Sequence, residues 1–469
     1  MNIYIHVEIA ARELDNKLLL AVIGASRGHQ VLVSNLHSII EGVRTGVLKP
    51  GVFHTKSLTP TSKKIARHQR LVDQGFQITS IDEEGGMVDH GYDEFARVRY
   101  SKKTLGQASA VFGWGPEDTD TLKRVYSCFS SRIYQTGPPR ADLWKPRFYQ
   151  YWTVPKAMPT KPYLLVSSNM GSSNNIRPFH ERIKSDRQAG YYQRDPKLFS
   201  RAFGVVAENY RMTLAFIEAI RYLASLKNDF DIVLRPHPVE NVEAWKVYLD
   251  GIPNVHVIRE GPITAWVNNA FAIMHNGCTT AYEATISGKP VITYLPIDQE
   301  YERKIPNELG ERVKSLEDLA EVVNRLFCAS QTGSFAREDQ HRLSASLMKK
   351  VYLDSTELAA EKMVKIWETL DNGNCSQSVN WTKFRAASMP KKLRRIVGSV
   401  LRTNFPRIFG LAKDNYKFPC MDATDIIERV CRLQQVLGVG ELLECNLLSD
   451  HAVLIRKKSK QSDFTKIGR

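Results

Sequence analysis

Residues 2–34, NIYIHVEIAARELDNKLLLAVIGASRGHQVLVS, decide the fold class. Ile3, Ile5, Val7 and Ile9 alternate as a strand does, Leu14 to Arg27 has helix-forming composition closed by Gly28, and Gln30 to Ser34 is a short apolar strand. Together they make one βαβ unit. The pattern recurs outward: Ile39 to Gly46 leads to Val52–His54, Thr61 to Gln74 leads to Gln77–Ile81, and Ala110–Trp114 leads to a helix from Pro116 and the short strand Ile133–Gln135. Such alternation predicts a parallel sheet covered by helices on both faces.

Pro146, Pro155, Pro159 and Pro162 interrupt the pattern, which sets a first domain at 1–150 and a linker at 151–162. The alternation restarts with Tyr163–Ser168, followed by a polar insertion to about Pro196 and a long helical stretch from Leu198 to Lys227. Strands are then expected at Asp231–Leu234, Val255–Ile258, Phe271–Met274 and Val291–Tyr294. The predicted fold is α/β, with two doubly wound Rossmann-like domains, 1–150 and 163–330, facing a cleft. A helical segment at 331–371, mainly Phe335 to Leu370, is expected to pack back on both domains, and 372–469 forms a basic C-terminal extension.

The 469-residue chain carries a net charge of +15, with 43% hydrophobic and 25% charged residues, ordinary values for a folded soluble protein apart from the basic excess. No apolar run approaches the roughly 18 to 20 residues that span a bilayer, and Glu8, Glu13 and Asp15 exclude a signal peptide over the first residues, so a cytoplasmic location is expected. The seven cysteines are scattered without a CxxC pair, which argues against a disulfide framework or a zinc site. From Asn372 to Lys413 there is no acidic residue, and Trp381, Phe384, Ile396, Leu401, Phe405 and Phe409 are interleaved with Lys391, Lys392, Arg394, Arg395, Arg402 and Arg407. A helix lying on an anionic membrane surface has this composition, which makes 381–413 the expected membrane contact. The tail contains no recognisable nucleic-acid reading module, so no nucleic-acid partner is expected.

Three strand-end segments carry chemistry, because ligands of open parallel sheets bind beyond the carboxyl ends of strands. Arg235-Pro236-His237-Pro238 follows the strand Asp231–Leu234: Arg235 can pair with a phosphate, His237 can donate to or protonate one, and the prolines stiffen the turn. His275-Asn276-Gly277-Cys278-Thr279-Thr280, with Glu283 one turn on, places hydroxyls and backbone N–H groups where a nucleotide's phosphates would sit and a carboxylate where ribose would. Helix capping explains Thr279 and Glu283 equally well. In the first domain Asp82-Glu83-Glu84-Gly85-Gly86 ends a strand; mutual repulsion would raise at least one carboxyl pKa, and Glu83 or Glu84 would serve as general base. Gly85 and Gly86 leave room for a ligand to approach. Ser167, Ser168 and the Gly171–Asn175 loop would add phosphate or acceptor contacts, and Glu8 and Arg12 would line the acceptor side. No DxD-type spacing supports a metal.

The Asp82–Gly85 motif, the R-x-H-P of Arg235–Pro238 and the hydroxyl pair Thr279-Thr280 resemble the bacterial GT-B glycosyltransferases that use CMP-activated ulosonic acids. That resemblance implies Glu83 or Glu84 as base, His237 serving the CMP phosphate, and Thr279 and Thr280 binding it. More broadly, Ala11–Ala21, Asp82–Gly86 and Thr136-Gly137-Pro138-Pro139-Arg140-Ala141-Asp142-Leu143 look like a family of surface carbohydrate biosynthesis proteins whose usual turn is closer to TGNPR-x-D, so that Pro138 is a departure. The second domain is also similar to CDP-glycerol glycerophosphotransferases and, more distantly, to UDP-GlcNAc 2-epimerases. What these resemblances imply is a glycosyltransferase of capsule, O-antigen or lipopolysaccharide synthesis with no tightly bound cofactor. Its donor would be a nucleotide sugar, CMP-linked by preference but UDP- or CDP-linked as alternatives, and its acceptor a glycan or lipid-linked glycan at the inner membrane face. The alternative enzyme is a CDP-glycerol-type glycerophosphotransferase or a UDP-GlcNAc 2-epimerase-like protein, and a non-catalytic membrane scaffold is the alternative of another class.

Overall fold

The computed structural model describes residues 1–86, 88, 91–226, 229–301, 304–332, 345–371, 373–387 and 417–458. It divides into two units, Met1–Leu143 with Met348–Arg469, and Trp144–Leu347. Both are Rossmann-like α/β units built on a parallel sheet, the fold class expected.

The first unit contains β1 (Asn2–His6), β2 (Gln30–Ser34), β3 (Val52–Thr55), β4 (Gln77–Ile81), β5 (Ala110–Gly113) and β6 (Ile133–Gln135), laid side by side as β2-β1-β3-β4-β5-β6. All five pairings are parallel, and β1 runs against β2 from Asn2↔Gln30 to His6↔Ser34. Because both faces are covered, these strands read as near-continuous apolar runs rather than as alternation. β1 ends at His6, not Ile9, since Ile9 is the N-cap of the helix Ala10–Ser26. No side chain caps that helix; instead Glu13, in its first turn, accepts the N–H of Glu8 at 2.8 Å. The helix is buried on most of its faces, including Lys17.

Two further strands complete this sheet. β13 (Leu443–Ser449) and β14 (Ala452–Lys457) form an antiparallel hairpin, and β14 pairs antiparallel with β2. The helices Ala359–Thr369 and Ala423–Leu437 pack on the helix Ala10–Ser26. Trp381 and Phe384, expected on a membrane-facing surface, are instead buried in the core of this unit, with Trp381 Nε1 donating to Gln30 Oε1 at 2.6 Å. Within the stretch expected to be helical from Phe335 to Leu370, helices occupy Ala345–Lys350 and Ala359–Thr369, separated by a bend. Residues 335–344 of that stretch, and residues 388–413 of the expected membrane contact, lie outside the described residues.

The second unit contains β7 (Tyr163–Ser167), β8 (Asp231–Arg235), β9 (Val255–Val257), β10 (Ala272–His275), β11 (Val291–Tyr294) and β12 (Glu311–Val313), in the order β12-β11-β10-β7-β8-β9. Counted within the unit, this is the 3-2-1-4-5-6 order of dinucleotide-binding folds, with the reversal between β7 and β10. Leu164, Val166, Ile232, Leu234, Met274 and Ile292 of these strands share one core with Phe216 and Ile220 of the long helix Lys197–Ser225.

Candidate functional site

In the second unit the crevice outside β7 and β10 is where such a sheet binds ligands. β7 runs into Ser167 and Ser168, and β10 into His275, Asn276, Gly277, Cys278, Thr279 and Thr280, so the sequence-selected residues of both strands arrive at this point. Ser167 Oγ donates to Thr280 Oγ1 at 3.0 Å and lies 3.2 Å from Cys278 Sγ, while Asn169 Nδ2 donates to the Gly277 carbonyl at 3.0 Å. Gly277 has φ +59°, and its N–H is held by Asn307 at 2.6 Å.

His275 shapes this turn from below. It is fully buried, and burial lowers its pKa to about 4, which keeps it neutral. Thr293 Oγ1 gives its proton to the Leu309 carbonyl and so accepts from His275 Nε2 at 3.0 Å; His275 Nδ1 then accepts from Cys278 N–H at 3.4 Å. Asn276 points inward to the Tyr294 carbonyl and Gln299. Thr279 makes no capping bond to the helix Thr280–Ile286 and is half-buried, whereas Glu283 is buried and accepts from Thr264 Oγ1 at 2.8 Å.

At the end of β8 the residues of the R-x-H-P turn separate. Arg235 is buried over the Trp266 ring, and its guanidinium donates to the carbonyls of Glu260 at 2.6 Å and Gly261 at 2.8 Å. Burial lowers its pKa to about 10. It therefore braces a neighbouring turn, a use the sequence did not foretell. His237 is half-buried, and its Nδ1 accepts from Val239 N–H at 3.4 Å, which favours a proton on Nε2. Pro236 is buried and Pro238 exposed.

Glu240 was not singled out in the sequence, yet it ties the two strand ends together. Fully buried, it accepts from Ser168 Oγ at 2.7 Å, from Met170 N–H at 2.7 Å and from Trp245 Nε1 at 2.6 Å. Burial raises its pKa, and these donors oppose the shift. Its only sequence signal was its position two residues after the R-x-H-P turn.

In the first unit the strand order reverses at β1, between β2 and β3. The acidic turn after β4 lies beside the end of β3, because Glu83 N–H donates to the Lys56 carbonyl at 3.2 Å. Its three carboxylates have three environments. Asp82 is buried and takes both arms of Arg99 at 2.8 Å; burial raises its pKa against that pairing. Glu83 is buried beside Lys17 at 2.6 Å; burial works to raise its pKa, but Lys17, Arg140 and Arg12 outweigh it and hold the carboxyl below its ordinary value. Only Glu84 reaches solvent, its side chain 54% exposed, with Arg12 at 3.6 Å and Arg99 at 3.8 Å. Each carboxylate thus lies beside at least one cation, Arg99 being shared by Asp82 and Glu84, and the Glu84 charge still adds to the rise at Asp82.

Gly85 and Gly86 make room not for a ligand but for Trp114: a Cβ on Gly86 would stand 2.1 Å from its Cε3, and Trp114 Nε1 donates to the Asp82 carbonyl at 2.6 Å. Glu8 pairs with Lys56 at 2.6 Å and with Lys417 at 3.4 Å, and Arg12 with Glu13 at 3.3 Å. Pro138 sits at the N-cap of the short helix Pro139–Asp142, where its missing N–H costs nothing. Among the described residues no group of three His, Cys, Asp or Glu side chains could hold a metal, and no helix is long and apolar enough to cross a membrane.

No protein-family model matches the chain, and no curated protein does. Solved structures share its layout at low identity. A putative UDP-N-acetylglucosamine 2-epimerase from Listeria monocytogenes is 14% identical, over 80% of this chain and 98% of the other, with a TM-score of 0.46. The UDP-GlcNAc 2-epimerase from Neisseria meningitidis, bound to UDP-GlcNAc, is 14% identical over 79% and 99%, with a TM-score of 0.42. The wall teichoic acid polymerase TagF is 10% identical over 68% and 71%, with a TM-score of 0.38. At these scores the likeness is one of general layout and assigns no chemistry.

Proposed function

We propose that the chain is a nucleotide-sugar-dependent glycosyltransferase of bacterial surface-polysaccharide synthesis. The observation that carries this reading is the second unit's crevice, where the 3-2-1-4-5-6 order brings Ser167, Thr280 and the Gly277 turn to the reversal point, the place such sheets give to nucleotide phosphates.

In this mechanism Glu84 is the general base, because its carboxylate is exposed while Glu83 is sealed against Lys17. An acceptor hydroxyl attacks the anomeric carbon and gives its proton to Glu84. The bond from that carbon to the nucleotide's phosphate oxygen breaks, and His237 donates through Nε2 to the departing phosphate. The acceptor is a glycan or lipid-linked glycan, and residues 388–413 bring the protein to the inner membrane face through their basic side chains.

The test is a thermal-shift screen of the intact protein with CMP, CDP, UMP and UDP. One nucleotide at 100 times its Kd is expected to stabilise by about 2.7 kcal/mol. Thr280→Val should remove the shift, and His237→Ala should abolish transfer with the fold intact. No shift with any nucleotide, or full turnover by His237→Ala, would refute the reading.

A further inference from the structure

The polar insertion after β7 builds a cavity of about 490 Å³ of its own. Its walls come from the helices Phe179–Gln188 and Tyr191–Arg194 and the first turns of the helix Lys197–Ser225. Arg177, Arg182 and Arg201 line it with a single carboxylate, Asp186, and the Arg201 guanidinium lies over the ring of Tyr301. An excess of guanidinium over carboxylate in one lining attracts anions.

Arg182 Nη2 donates to the Ser172 carbonyl at 2.5 Å and the guanidinium lies over the Phe179 ring, while its Nε is buried with no hydrogen-bond partner among the described residues. Phe179, Tyr191 and Tyr192 supply aromatic wall, and Tyr191 is half exposed. Ser172 also lines the cavity, so it adjoins the loop that leaves β7 at the reversal point.

We propose that this cavity is a subsite for a phosphorylated sugar, separate from the nucleotide's phosphates. The guanidinium forks match phosphate oxygens in pairs, the rings offer flat faces to a sugar, and the volume is that of a small-molecule pocket rather than of a lone anion. The binding of a phosphorylated sugar here does not rest on the transferase reading.

The experiment is a calorimetric titration of the full chain with N-acetylglucosamine 1-phosphate. Arg177 and Arg201 are exposed, so Arg177→Ala/Arg201→Ala should keep its fold. It should bind this probe at least tenfold more weakly while its nucleotide affinity is unchanged. Neutral N-acetylglucosamine and inorganic phosphate should each bind at least tenfold more weakly than the ester. Equal binding by the variant, equal affinity for neutral sugar, or recognition only of phosphatidylglycerol vesicles would overturn the proposal. Sugar-phosphate binding as stated, with no nucleotide binding at all, would sink the transferase reading and leave the subsite standing.

Discussion

Glu83 and Glu84 are neighbours in sequence and opposites in chemistry. Breaking the buried pair by Lys17→Met or Glu83→Gln leaves one partner unmatched in the interior and should cost about 3 to 5 kcal/mol of stability. Glu84→Gln should leave the melting temperature within a degree or two and lower kcat by about 100-fold or more at unchanged KM. Chemical denaturation beside steady-state kinetics separates the two outcomes, and a stable but inactive Glu83→Gln would reverse the assignment. The sequence made the acidic run visible but not its partition, since Lys17 and Arg99 are far from it in the chain and reach it only through the fold. The same holds for Arg235, whose carbonyl partners lie 25 and 26 residues on, and for Trp114, which fills the space beside Gly86.

Elements built from local pattern were legible. Ile133–Gln135 and Val291–Tyr294 form strands with the expected bounds, and Asp231–Leu234 extends by one residue to Arg235. The C-terminal hairpin was not foreseen, because no Asn-Gly or Asp-Gly turn marks its two-residue connection, Asp450-His451. Its energetic weight is large. Val453, Leu454 and Ile455 are buried, worth about 5 to 9 kcal/mol together, and β14 covers the edge of β2. A chain stopped after Leu442 should therefore aggregate or lose cooperative melting. If it were soluble and melted sharply, the hairpin would be dispensable.

For the molecule as a whole, acid should be the weak side. Burial lowers His6 and His68 to about 3, His275 to about 4, and His54 well below the ordinary range; His29 is lowered as well. Below pH 6.5 the unfolded chain takes up more protons at these groups than the folded one, so stability falls as pH drops. Burial acts oppositely on carboxyls, raising Asp118 to about 7 and raising Asp82 and Glu240, which keep protons the unfolded chain has lost. Five histidines outweigh three carboxyls. Between pH 6.5 and 4.5 the loss should be on the order of 2 kcal/mol per pH unit, read from urea midpoints across that range. A flat profile would mean the histidines are reached by water.

The pairing of β14 with β2 sets an order on biosynthesis. The unit Trp144–Leu347 is continuous in sequence and can fold as soon as it has cleared the ribosome, while the earlier strands wait for residues 443–457 before their sheet is closed. Throughout that interval the β2 edge, Gln30 to Ser34, is an open template, so slow translation of residues 443–457 should lengthen the nascent chain's exposure to edge-to-edge pairing.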